Sequence, residues 1–220
     1  MENLQILNEL ETKLRDISHD DNPLKIIQDF SAKLKNTAKR QDIFNTENAL
    51  VQQPIIYENM LEMGLIDASE DSFVLLQGDI VSTDLAYLCG ERLEGMKFAI
   101  ASSTCDLVPN RREYAVLLRL EPIRYNYPEV KTLINNLLRF SSTKRMYLPP
   151  LPDDPDEVIA NSIVFDGVVQ IHLKDLLFAT RHGSLSLVGW RIFGSLVRTI
   201  MVRTGESEVK MRTAFNSRIN

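Results

Sequence analysis

Three short apolar runs constrain this chain more than any other feature: Ser72–Val81, Lys97–Ser103 and Tyr114–Leu120. Each is short and mostly apolar, the pattern of a buried strand. Gly78 interrupts the first, which therefore reads as a strand with a bend or bulge. The connections between the runs are short. A parallel return needs a longer crossover, so neighbouring antiparallel pairing is expected. Further along, Arg145–Leu148 reads as another strand. Ser162–Ile171 reads either as two strands about a tight Asp166-Gly167 turn or as one long bulged strand. The proline-rich acidic stretch 149–158 between them cannot be regular structure.

Helical periodicity flanks this β-rich middle. Leu4, Leu7, Leu10, Leu14 and Ile17 form one amphipathic stripe, expected to end before His19-Asp20-Asp21-Asn22. Asn22 is placed to cap a second helix with Pro23 at its first position, and Leu24, Ile27, Phe30 and Leu34 share one face of that helix. Lys33, Lys35, Lys39 and Arg40 fall largely on the other. Pro54 opens a third, short helix that Gly64 closes. These stripes are too narrow for a self-sufficient core, so the helices must pack on the rest of the protein or on another chain. A helical insertion is expected at about 128–140, with Val130, Leu133, Ile134, Leu137 and Leu138 at helical spacing. A C-terminal helix at about 186–204 follows, through Leu187, Trp190, Phe193, Leu196 and Val197 and closed by Gly205. The organisation is thus α+β: a helical region 1–71, then a β domain 72–220.

Composition narrows the function classes. At 220 residues with 44% hydrophobic and 25% charged residues, the chain can bury a core without disulfides or metals. Its two cysteines, Cys89 and Cys105, form no C-x-x-C pair, and three histidines are too few for a Cys/His metal site. Free thiols in this context point to a reducing compartment. The amphipathic acidic start is no signal peptide, and no apolar stretch is long enough to span a bilayer. A cytoplasmic protein is expected, with no cofactor. The net charge of −5 argues against coating nucleic acid with the whole surface. The charge is uneven, however, at −7 over residues 1–71 and +5 over residues 176–220. The basic end either binds an anion or docks on the acidic helices.

Two constellations are candidates for chemistry. Ser102-Ser103-Thr104-Cys105-Asp106-Leu107 leaves a buried strand, where functional groups often stand on a rigid scaffold. In its functional reading Cys105 is a nucleophile, and Asp106 orients His172 or His182 as base. In its structural reading a small buried Cys lies beside a turn-forming Asp, which caps or binds Arg111 or Arg112. Arg191 and Arg198 share one helical face, with Gly194 and Ser195 leaving room between them for a phosphate or carboxylate. Asp79, Asp84, Asp106 and Asp166 stand near strand ends and are candidates to converge. Asp153, Asp154, Asp156 and Glu157 read as a solvated loop, and Arg181-His182-Gly183 as a chance match to a phosphohistidine loop.

The middle of the chain resembles the MazF/PemK-type toxin family. Gln77-Gly78-Asp79-Ile80-Val81 is similar to its opening Gly-Asp strand, and Phe98-Ala99-Ile100-Ala101-Ser102 to its central strand. Tyr114–Leu120 and Asn161-Ser162-Ile163-Val164-Phe165-Asp166 stand for later strands, over about residues 76–176. The resemblance implies a small, mostly antiparallel SH3-like β-barrel. It also implies a toxin–antitoxin or defence-type role, binding or acting on RNA or another phosphate-bearing ligand. The family's catalytic arginine corresponds to Lys97, and its hydroxyl falls near Glu121. Lysine keeps the charge but loses the two-pronged grip on phosphate. The expected site is therefore Thr104, Cys105 and Asp106, with Arg191, Arg198 and Lys97 as ligand contacts. The rival expectation is a non-catalytic protein-interaction module that oligomerises through the N-terminal helices.

Overall fold

A computed structural model describes residues 2–15, 23–66, 74–88, 90–108 and 110–201. The helices α1 (Glu2–Arg15), α2 (Pro23–Lys33), α3 (Thr37–Phe44) and α4 (Tyr57–Glu62) precede most of the sheet, and the edge strand β1 (Val51–Gln52) lies between the last two. Then come β2 (Asp79–Ser82), a small hairpin of β3 (Tyr87–Leu88) and β4 (Glu91–Arg92), β5 (Lys97–Ile100) and β6 (Tyr114–Arg124). The remainder is α5 (Val130–Leu137), β7 (Arg145–Leu148), β8 (Val158–His172), α6 (Leu173–Leu176), β9 (Thr180–Leu185) and α7 (Leu187–Met201).

Seven strands form one curled antiparallel sheet in the order β1-β9-β2-β5-β6-β8-β7. The expected antiparallel run of β2, β5 and β6 is present. The α+β class holds, and the sheet curls into a half-barrel, compatible with the expected barrel. The strand expected over 72–81 is shorter. Residues 74–78 turn, with Gly78 at φ +87, and pairing begins at Asp79. Of the two readings of Ser162–Ile171, the single bulged strand is correct. The register jumps from Leu118↔Val168 to Leu120↔Ile163, so Val164–Gly167 of β8 loops past Arg119 of β6. Gly167 packs there, since a Cβ would sit 3.3 Å from the Arg119 Cβ.

Side-chain alternation gives the sheet two covered faces. Ile80, Ala99, Leu118, Leu120 and Ile163 face a core completed by Leu10, Leu14, Ile27, Phe44, Ile192 and Phe193 of the helices. Val81, Phe98, Ile100, Leu117 and Val169 face a second core closed by Leu107, Leu173 and Leu176. The N-terminal helices therefore pack on this chain's own sheet and on α7. Full burial of each Leu or Ile contributes about 1.5–3 kcal/mol, which offsets the marginal stability of a helix as short as α1. Lys39 and Arg40 belong to a separate helix, α3, capped by Asn36, rather than to the far face of α2. Arg40 is buried, donating to the Ser31 and Leu34 carbonyls.

Among the described residues no helix is long and apolar enough to cross a membrane. The Asn22 cap, Ser72 and Phe73, Cys89, Gly205 and the basic residues Arg203, Lys210, Arg212 and Arg218 lie outside the described residues.

Candidate functional site

The end of the sheet where β2, β5 and β9 meet carries a continuous polar cluster. β2 ends at Ser82, which pairs with Lys97 of β5 and Thr180 of β9. Opposite β2, β9 is bulged: Ile80 pairs with Gly183 but Val81 with Arg181, leaving His182 as the extra residue. A bulge re-aims its side chain out of the strand alternation. Here it brings His182 Nε2 to 2.7 Å from Ser82 Oγ. The other ring nitrogen, Nδ1, lies 2.9 Å from Asp153 Oδ2. Because a carboxylate only accepts, Nδ1 must donate to it; in the neutral ring Nε2 is then the acceptor for the Ser82 hydroxyl. The line Ser82–His182–Asp153 is a hydroxyl, an imidazole and a carboxylate in hydrogen-bonding sequence.

Asp153 comes from the acidic loop expected to be solvated; that expectation fails for Asp154, while Asp153, although exposed, is tied to its neighbours. Lys97 Nζ reaches Asp153 Oδ1 at 2.8 Å and Asp154 Oδ1 at 2.7 Å. Asp154 is only 7% exposed, and its Oδ2 accepts from Leu151 N and Asn161 Nδ2. Burial works to raise the Asp153 carboxyl, but the Lys97 hydrogen bond and the His182 and Lys97 charges outweigh it and hold the group below the usual carboxylate range. Burial would lower the Lys97 ammonium, and the two aspartates more than reverse that, leaving it above its ordinary value. Lys97 is thus a clamp on the loop. To hold a phosphate it would have to give up charged hydrogen bonds contributing about 1.5–3 kcal/mol each.

A second network lies one residue away. Asp79 is fully buried, accepting from Ser184 Oγ at 2.6 Å and Leu76 N at 2.9 Å, with Arg181 Nη2 at 2.9 Å. Burial pushes its carboxyl above the ordinary value against the pull of those donors. Arg181 also donates to the Val74 and Ile55 carbonyls. This hub joins β2, β9 and two loops beneath His182. In the Arg181-His182-Gly183 triplet the arginine thus holds the buried Asp79 while the histidine lies between Ser82 and Asp153.

The other candidates are distributed differently. Thr104, Cys105 and Asp106 form a 3-10 turn, and Cys105 is exposed rather than buried. Asp106 binds Arg112 at 3.2 Å, while Arg111 donates to the Cys105 carbonyl. The histidines are engaged elsewhere: His182 as above, and His172 as the cap of α6 beside Glu113 and Tyr114. Thr104 is tied to α7 through Gln77, whose N–H donates to Thr104 Oγ1 and whose Oε1 accepts from Trp190 Nε1. Arg191 stacks on Trp190 at 5.2 Å, Arg198 is exposed, and the space beside Gly194 is open as expected. Glu121 pairs with Arg145 at 2.9 Å. The four aspartates do not converge: Asp79, Asp84 and Asp106 each hold a different arginine, and no three-residue metal cluster occurs among the described residues.

A groove of about 280 Å³ opens beside His182, between residues 45–53 and the proline-rich loop 149–152. No protein-family model, curated protein or solved structure matches the chain.

Proposed function

We propose that this protein is a hydrolase working by acyl transfer, with Ser82 as nucleophile, His182 as general base and acid, and Asp153 as the group that orients the ring. The hydrogen-bonded line Ser82–His182–Asp153 carries the proposal, with contacts of 2.7 and 2.9 Å. In the reaction, Ser82 Oγ attacks a carbonyl carbon while His182 Nε2 takes its proton. The carbonyl–leaving-group bond then breaks, and the leaving group receives that proton. Water, deprotonated by His182, attacks the acyl-serine, releases the acid and returns the proton to Ser82. Asp153 supports each step by accepting from Nδ1 and favouring the imidazolium. Lys97 and Asp154 are positioning residues that hold Asp153 and its loop over the histidine.

A second reading, RNA cleavage in a MazF/PemK-like barrel, draws on Lys97 standing at the head of β5 beside the same histidine line. Electrostatics weigh against it. Asp153 and Asp154 outnumber Lys97, so the cluster has no positive charge to spare for a phosphodiester.

The test is to offer the purified protein a short-chain p-nitrophenyl ester and end-labelled RNA in parallel. Ester hydrolysis is expected, falling by at least about 100-fold in Ser82→Ala and in His182→Ala, with the RNA left intact. His182-dependent RNA cleavage without esterase activity supports the second reading instead. Unchanged hydrolysis in a folded Ser82→Ala protein reduces the cluster to a structural tie.

A further inference from the structure

The groove at His182 has two unlike walls. One is β1, the two-residue strand at the end of the sheet, and the residues that flank it. An edge strand presents backbone N–H and C=O groups to whatever lies beside it. β1 is held close to the proposed site: a Cβ on Gly183, next to His182, would sit 2.9 Å from Val51 Cγ1 and 3.0 Å from the Gln52 carbonyl oxygen. The opposite wall is Pro149, Pro150, Leu151 and Pro152. Three of those four residues have no backbone N–H, so this wall offers contact area without competing for a ligand's hydrogen bonds. Tyr147, fully buried, donates to Asn45 Oδ1 at 2.6 Å and so holds one of the lining residues. Among the described residues, Glu47 and His182 are the ionisable groups lining the groove, and no Lys or Arg lines it. Asp153, 46% exposed, stands at the histidine end with its charge already paired by Lys97, which leaves Glu47 as the groove's unmatched carboxylate.

We propose that this groove takes the substrate's acyl arm as an extended peptide, neutral or basic, laid along β1 as an added strand. The inference deepens the hydrolase reading and rests on it for the chemistry, but not for binding. At about 280 Å³ the groove is small for a whole ligand, so it holds one or two side chains while the rest of the peptide lies in the open. A phosphate-bearing chain would meet Glu47, and the nearby Lys97 ammonium is already held by Asp153 and Asp154.

Binding is measured first, on Ser82→Ala, by fluorescence anisotropy with dye-labelled hexapeptides that differ only in a central Ala, Arg or Asp, and with a dye-labelled RNA hexamer. The expected order is Arg, then Ala, then Asp, each step about twofold to fivefold, the size of one exposed charge pair. RNA should be weakest. Glu47→Lys, a change at an exposed position, should reverse the Arg–Asp order. Equal binding of all three peptides, unchanged order in Glu47→Lys, or tighter binding of RNA overturns the peptide proposal. Peptides that bind in the expected order while no peptide ester is hydrolysed by the unmodified chain leave the groove assignment standing and overturn the hydrolase. Ester hydrolysis without peptide preference does the reverse.

Discussion

At the residue scale, Asp79 and Asp106 show how burial changes the worth of an ion pair. Asp79 is fully buried beneath Arg181, whereas the Asp106–Arg112 pair has side chains 44% and 66% exposed. Removing Arg181 leaves an uncompensated buried carboxylate, so Arg181→Ala should lower unfolding free energy by about 3–5 kcal/mol. Arg112→Ala should cost about 1 kcal/mol or less. Urea unfolding of the two variants measures both, and equal losses would contradict the assignment. The cluster was only partly legible in the chain. Lys97 could be singled out through the family resemblance, but Ser82 and His182 are 100 positions apart, and Lys97 and Asp153 are 56 apart. No local spacing encodes such contacts. A run of four acids and four prolines reads as solvated loop until the lysine beneath it is known. The bulge that turns His182 is set by the pairing of β2 with β9, which no pattern within β9 announces.

At the element scale, α7 holds two glycines with opposite roles. At Gly189 a Cβ would come within 2.2 Å of the Leu50 carbonyl oxygen, so the glycine lets the helix lie against that backbone. Gly194 has nothing within 4 Å. Gly189→Ala should therefore destabilise by about 1–3 kcal/mol through overpacking. Gly194→Ala should stabilise by up to about 1 kcal/mol through helix propensity. Thermal unfolding of both reads the contrast, and a shared sign would contradict this packing of α7. Elements with strong periodicity were legible: α2, α5, β7 and α7 lie where their apolar residues place them. α3 was not, because its few apolar residues define no stripe and its cap, Asn36, sits in a polar run. The first strand was overextended because Leu75 is apolar for the core's sake while Gly78 turns the backbone.

At the scale of the whole molecule, one curled sheet is covered on both faces, and the loop 149–157 is tied across its end by Lys97 and His182. That tie has a pH signature. The Asp153 carboxyl is held below its ordinary value of 3.8, so its contribution is present above that pH and is lost as pH falls through the folded-state value. Lys97 is held above 10.5, so its contribution is present below that pH and is lost as pH rises through the folded-state value. Asp153→Asn should therefore be less stable than the parent chain at neutral pH, with the gap closing below about pH 3.8. A gap that persists unchanged into acid would contradict the pairing. The helices at both ends of the chain share the core of the sheet, so loosening the loop should leave the rest of the fold in place.

The central claim is that Ser82 is an activated hydroxyl, and mass-spectrometric mapping after treatment with a fluorophosphonate tests it most directly. A single adduct on Ser82, absent in His182→Ala and slowed in Asp153→Asn, is the predicted result. No adduct on Ser82 in the folded protein, or equal labelling with and without His182, would contradict it.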